Sequence, residues 1–160
     1  MAMMAAIKSA IAGSPLQRYE ISNYAVPGCE SRHNCNYWEN GTYLGLGPGA
    51  VSALGGARRS AVADLAEYCR LVEAGQSVWL EEERLDPEAA FRETVVMGLR
   101  MLAGVSVKRL RQRFGLDLTV YYGPTLDRLI GQGLLILQGD HLRLSPQGLP
   151  LANRVMAELV

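Results

Sequence analysis

LLILQGDHLRLS, residues 134–145, decides how the second half of the chain folds. Two apolar runs, 134–138 and 141–145, flank Gly139-Asp140, and a two-residue glycine-containing turn between such runs predicts a β-hairpin. Upstream of the hairpin the pattern is helical. Thr119 opens a helix with Tyr122, Leu126, Leu129 and Ile130 on its inward face, and Ser106 caps one over residues 107–114 that Gly115 closes. Asp86-Pro87-Glu88 starts a further helix, with Phe91, Val95, Leu99 and Leu102 facing inward and Gly104 at its end. Downstream, Ser145-Pro146 starts a last helix running to Val160. Helices, a two-stranded wing and a closing helix predict a winged-helix-like arrangement.

The texture changes near residue 60. Before it, glycine-rich sequence carries short apolar segments, 17–22 and 43–46, that read as buried strands, and residues 50–54 and 58–62 read as a strand pair turning at Gly55-Gly56. From Asp64 the period is helical, with Leu65, Tyr68, Cys69 and Val72 on one face and Gly75 as the C-cap. The expectation is an α+β chain with a strand-and-loop domain over 1–62 and a helical, winged-helix-like domain over 63–160.

Composition narrows the function classes. The chain has 160 residues, 49% hydrophobic and 20% charged, which describes a globular protein with a sizeable core. Sixteen Lys and Arg cancel sixteen Asp and Glu, so no global field draws it to nucleic acid or an anionic membrane. The apolar run at residues 1–13 contains Lys8 and falls far short of the roughly 20 apolar residues that span a bilayer. It lacks a basic stretch ahead of its apolar block, unlike a signal peptide, and reads as the last turns of a helix. Cys29, Cys35 and Cys69 are odd in number and lack CxxC spacing, which argues against a disulfide framework or zinc knuckle and for reduced thiols in a cytoplasmic protein. A winged helix invites a DNA-binding reading, but the helix in the recognition position offers only Asp127 and Arg128 as charges. Lys108, Arg109, Arg111 and Arg113 cluster on the preceding helix, where a solvated face accounts for them. No nucleic-acid partner is expected.

The densest set of ligand-binding groups is HNCNYW, residues 33–38, between YEISNYA (19–25) and YLGLGPGAVS (43–52). A histidine here is either a surface residue capping a loop or a metal ligand. Asn34 and Asn36 can bond backbone or carboxylates, and Tyr37 and Trp38 can stack on a flat ligand or wedge the segment into the core. Cys35 reads as a small packed hydrophobe more readily than as a thiolate ligand. His141, in the hairpin turn, reads as a surface residue.

The order YEISNYA, HNCNYW, YLGLGPGAVS, then GLR (98–100), L-x-x-L-I-x-x-G-L-L (126–135) and LRLSPQG (142–148) resembles the C-terminal part of HemW-type proteins. These are haem chaperones of the radical S-adenosylmethionine superfamily, similar to oxygen-independent coproporphyrinogen III oxidases. The resemblance covers residues 16–159, and the pairing of YEISN with HNxxYW favours the chaperone branch over the oxidase branch. It implies the last strands of a partial (β/α) radical SAM barrel followed by the helical domain. The family's CxxxCxxC cluster loop is absent from this sequence, so the resemblance implies a chain that by itself holds no 4Fe–4S cluster and performs no radical chemistry.

By the same resemblance His33 is the candidate haem-iron ligand, Asn34, Tyr37 and Trp38 match the motif around it, and Arg32 is a propionate partner by adjacency and charge. Gly47, Gly49 and Val51 correspond to one wall of the S-adenosylmethionine pocket, and Glu20 and Asn23 to barrel hydrogen bonding or a cavity-facing role. Haem or porphyrin and a recipient haemoprotein are the implied partners. Barrel strands lacking neighbours predict self-association through an open edge. The implied function is haem binding and delivery; the alternative is the substrate-side part of a coproporphyrinogen III oxidase.

Overall fold

The computed structural model describes residues 6–7 and 9–160. The helical turns expected at residues 1–13 fall partly on residues 1–5 and 8, outside the described residues; within the remainder, the Ile11 N–H donates to the Ile7 carbonyl at 3.1 Å, a helical bond. The elements are β1 (Gln17–Arg18), β2 (Tyr24–Ala25), α1 (Arg32–Trp38), β3 (Val51–Leu54), β4 (Ala57–Ala61), α2 (Leu65–Glu73), β5 (Trp79–Glu83), α3 (Pro87–Gly98), β6 (Val105–Ser106), α4 (Val107–Phe114), α5 (Leu118–Gly131), β7 (Leu135–Gln138), β8 (His141–Leu144), a 3-10 turn (Leu149–Leu151) and α6 (Ala152–Ala157). This is mixed helix and sheet. Two compact units emerge, one of residues 1–40 with 91–160 and one of residues 41–90, a division that cuts differently from a boundary at residue 62.

The first unit is built on the hairpin. β7 and β8 pair antiparallel with Gln138 opposite His141, across the Gly139-Asp140 turn the sequence announces. A third strand, β6, pairs with β8 through Val105 opposite Leu142, giving the order β6-β8-β7. Asp140 fastens this sheet to α4: its carboxylate accepts from the Lys108 N–H at 2.8 Å and from the Ser106 hydroxyl, and its carbonyl accepts from the Val107 N–H. Ser106 caps α4 through the Arg109 N–H, and Gly115 ends it at φ 71°. The core joins Phe91, Val95 and Leu99 of α3 and the turn after it to Leu118, Leu126 and Leu129 of α5, Leu135 and Leu142 of the sheet, and Val155 and Leu159 at the C-terminus. All of these are at most 2% exposed.

Three expectations shift in this unit. α3 ends at Gly98, not Gly104, because the chain leaves the helix to meet residues 19–21: Ile21 N–H donates to the Arg100 carbonyl and Leu102 N–H to the Tyr19 carbonyl, each at 3.0 Å. Tertiary pairing there outweighs a helical pattern that the sequence carries on to Leu102. α5 is capped by Asp117, which accepts from the Thr119 and Val120 N–H groups, so Thr119 lies inside the helix. It also kinks where Gly123 (φ 41°) precedes Pro124. The closing helix begins later than Ser145-Pro146, whose serine hydroxyl instead accepts from the Gln147 and Gly148 N–H groups in a turn. Gly104 has its own reason to be glycine: at φ 75°, an added Cβ would lie 2.0 Å from the Leu142 carbonyl oxygen.

The second unit is a three-stranded sheet, β3-β4-β5, with α2. The strand pair turning at Gly55-Gly56 is present, and both glycines have positive φ (58° and 76°), the signature of a type I′ turn. β5 is a strand that sequence patterning does not announce, since WLEEE lacks alternation. It is held by cross-strand ion pairs, Arg59 with Glu82 and Arg58 with Glu83. α2 is capped by Asp64, as expected, but buries no residue; Leu65 is 65% and Val72 53% exposed, so its apolar face is not an inward face among the described residues. The expected strand at 43–46 reduces to a single bridge, Tyr43 opposite Ala53. No helix among the described residues is long and apolar enough to cross a membrane.

Candidate functional site

The HNCNYW segment is not a loop but the helix α1. Its residues are mediocre helix formers, so capping and anchoring hold it. The Ser31 hydroxyl accepts from the Asn34 N–H at 3.3 Å at its start. Asn40, at φ 50°, closes its end in the left-handed conformation that asparagine tolerates. The Asn40 carboxamide donates to Glu93 Oε2 and Thr94 Oγ1, both at 3.0 Å, and Arg113 donates to the Asn40 carbonyl at 3.0 Å. Asn40 was not singled out in the sequence; a polar residue two positions beyond a short helix was the available signal.

Around this helix the candidate residues divide by face. His33 is exposed and stands edge-on to Tyr37, with ring centres 4.8 Å apart, one helical turn away. Arg32 is exposed beside it. Asn34 is half-buried and its carboxamide donates to the Tyr19 hydroxyl at 3.4 Å. Trp38 is also half-buried: the Arg100 guanidinium lies over its ring, 4.2 Å from the centre.

Cys35 lies one turn before Trp38. Burial pushes its thiol above the ordinary value, and the carboxylates of Glu39, Glu30 and Glu20 push it the same way. The shift favours the neutral thiol over the thiolate that attacks electrophiles and binds metals.

Glu20 is fully buried. One of its carboxylate oxygens accepts from the Ser22 N–H at 3.0 Å, and the other has no hydrogen-bond partner among the described residues. The other two buried polar atoms without partners there are Trp38 Nε1 and Arg100 Nε.

Gly47, Gly49 and Val51 belong to the other unit. Gly47 (φ 97°) has open space where a side chain would be, and Gly49 (φ 70°) would place a Cβ 3.5 Å from the Ala63 Cβ. Val51 is half-buried at the start of β3. Cys29 and Cys69 are exposed free thiols, and no three His, Cys, Asp or Glu side chains among the described residues group to hold a metal ion.

Residues 85–151 match the HemN C-terminal domain family. The chain is 30% identical to "Heme chaperone HemW" of Lactococcus lactis over 96% of its own length and 40% of that protein's, and 34% identical to the protein of the same name from Bacillus subtilis over 88% and 37%. It is 32% identical to the mouse "Radical S-adenosyl methionine domain-containing protein 1, mitochondrial", covering 90% of this chain and 35% of that one. Among solved structures, Escherichia coli coproporphyrinogen III oxidase HemN, a radical SAM enzyme, superposes with a TM-score of 0.76 over 98% of this chain and 40% of that one, at 16% identity. The chain thus spans about two-fifths of the length of the curated relatives it matches. A sequence aligned along most of its length with HemW proteins, carrying the HemN C-terminal domain and the HemN fold, belongs to the HemW-type family of coproporphyrinogen III oxidase-like proteins.

Proposed function

We propose that this chain is the haem-binding and haem-delivery part of a HemW-like radical SAM protein, with His33 as ligand to the haem iron. The observation that carries the reading is the exposed imidazole of His33, edge-on to Tyr37, on a helix whose other side is anchored through Trp38. His33 and Trp38 are five residues apart, roughly 140° around a helix. The anchoring residue and the ligand-offering residue therefore use different faces of α1.

A single exposed imidazole with an aromatic ring beside it fits haem, whose iron takes an axial histidine and whose macrocycle presents a flat apolar face. Arg32, exposed on the same short helix, would meet a propionate. Asn34 and Tyr37 complete the contact set, and Trp38 fixes the helix. The raised thiol of Cys35 favours its neutral form and makes His33 the better-suited ligand at neutral pH. The names of the curated relatives favour delivery over the oxidase alternative. A recipient haemoprotein and a cytoplasmic setting complete the reading.

S-adenosylmethionine and a 4Fe–4S cluster are cofactors we assign to the longer radical SAM relatives. The open backbone at Gly47, together with Gly49 and Val51, suits one wall of a nucleoside pocket completed by further strands. No grouping of thiols among the described residues suits the cluster, so this chain alone is proposed to be catalytically inactive. The β6-β8-β7 sheet with α4 and α5 is read as a winged-helix-like packing module. On α5 the Arg128 guanidinium is paired with Glu158 at 2.5 Å, leaving little positive charge for phosphate.

The test is a hemin titration followed by the Soret band, with His33→Ala alongside. Saturable one-to-one binding abolished in His33→Ala supports the reading. Binding that survives the substitution unchanged removes His33 as ligand.

A further inference from the structure

The buried polar atoms left without partners among the described residues belong to Glu20, Trp38 and Arg100. Such atoms are rare in folded proteins and costly where they occur, so their gathering around one short helix calls for a reason. α1 has no buried residue of its own and seven residues in all, too short to be stable in isolation. Its Trp38 ring lies under the Arg100 guanidinium. Arg100 sits in the turn after α3, locked by the bond from the Ile21 N–H to its carbonyl, and next to Met101, which bridges Glu20.

We infer that Arg100 is a positioning residue for the His33 helix: stacked on Trp38 and held in place by the Glu20–Met101 bridge, it fixes the direction in which α1 presents its opposite, exposed face. A cation over an indole ring is an orienting contact as well as an attractive one, because the attraction is to the face of the ring and not to its edge. A bulky apolar side chain would fill the same space without setting the ring's direction. Gly98, two residues ahead of Arg100, leaves room for Val105, whose Cγ1 would lie 2.3 Å from an added Cβ, while the Trp38 carbonyl stands at ordinary contact distance, 3.8 Å. The consequence for haem rests on the His33 reading; the positioning of α1 does not.

The experiment therefore has two readouts on the full chain, using Arg100→Met, Arg100→Lys and Trp38→Leu. Amide hydrogen exchange reports α1 directly through the Cys35 and Glu39 N–H groups, which donate to the Ser31 and Cys35 carbonyls. Arg100→Met is expected to speed exchange at those amides roughly threefold to thirtyfold, the range of a partly desolvated cation–π contact. Protection at Leu126 and Leu129 should be retained. Arg100→Lys, which keeps a cation over the ring, should recover most of it, and Trp38→Leu should reproduce the methionine variant should that one fail to fold.

Unchanged exchange in α1 for both Arg100→Met and Trp38→Leu overturns the inference. So does loss of protection throughout the core, because Arg100 would then serve the whole unit. In the hemin titration, Arg100→Met should weaken His33-dependent binding by the same factor and reduce the low-spin, imidazole-ligated fraction of the spectrum, with rescue by lysine. A wild-type chain with no His33-dependent spectrum would defeat the haem reading while leaving the exchange result to judge Arg100.

Discussion

Asn40 and Thr94 are joined by a 3.0 Å hydrogen bond from carboxamide to hydroxyl, linking the end of the His33 helix to the middle of α3. Thr94 is 8% exposed, and the same carboxamide also reaches Glu93. Asn40 thus does two separable jobs: it adopts φ 50°, and it spends its side chain on α3.

Substitution separates those jobs. Asn40→Gly keeps the left-handed backbone and loses the side-chain bonds, with an expected cost of about 1–2 kcal/mol. Asn40→Ala loses both and should cost about 1 kcal/mol more. Chemical denaturation of the two variants checks this; equal stability would mean that φ at residue 40 relaxes without penalty.

Gly104→Ala should be among the most damaging small substitutions in the chain. The added methyl meets the Leu142 carbonyl oxygen at 2.0 Å, and backbone, unlike a side-chain tip, cannot swing away. With positive φ as well, the expected loss is about 2–4 kcal/mol, read as a drop in Tm. Gly139→Ala, where nothing lies within 4 Å, is the control and should show only the smaller backbone cost.

The hairpin, the Ser106-capped helix and the inward residues Phe91, Val95, Leu126 and Leu129 were legible in the sequence because each follows from local chemistry: a cap, a turn glycine, a period of 3.6. What was not legible depends on partners distant along the chain. β5 pairs with β4, where Glu82 and Glu83 stand opposite Arg59 and Arg58, partners more than twenty residues upstream. α3 stops at Gly98 because residues 100 and 102 bond to 19 and 21. The HNCNYW segment is capped locally by Ser31, but the partners of Asn40 (Glu93 and Thr94) and the Arg100 over Trp38 come from distant sequence. Among the residues around α1, His33 stood out from its motif, whereas Arg100 and Asn40 acquire meaning only once Trp38 and Thr94 are beside them.

Cys35 offers a chemical check on the site. Cys35 is half-buried and its thiol is raised, whereas Cys29 and Cys69 are exposed, so maleimide should label those two first at pH 7. Mass spectrometry of labelled peptides reads the order directly. Cys35→Ala should also leave any hemin spectrum at pH 7 unchanged, and a shift in that spectrum would reinstate the thiol as a ligand.

Asp140 makes stability depend on acid. The Ser106 hydroxyl first, and the Lys108 N–H next, hold its carboxyl below the ordinary 3.8. A group whose folded value is depressed contributes stability that is fully present above its unfolded value and is lost as pH falls through the folded one. Tm of the wild type should therefore fall more steeply below about pH 4 than that of Asp140→Asn, which cannot titrate. At neutral pH the wild type should be the more stable of the two, and the gap should close as pH falls. Parallel acid limbs would mean that Asp140 contributes nothing through its charge.

Self-association should run through the second unit. Leu44 is 59% and Leu46 85% exposed, within the segment where only Tyr43 makes a bridge, and Leu54 and Leu80 add exposures of 48% and 57%. Exposed leucines beside short strands favour pairing with another copy. Light scattering across a concentration series should show mass rising above the monomer for the wild type, and Leu44→Lys with Leu46→Lys should return it towards the monomer value. The double substitution touches no core residue, so its Tm should match the wild type; a wild type that stays monomeric at high concentration would remove the leucine edge as an association surface.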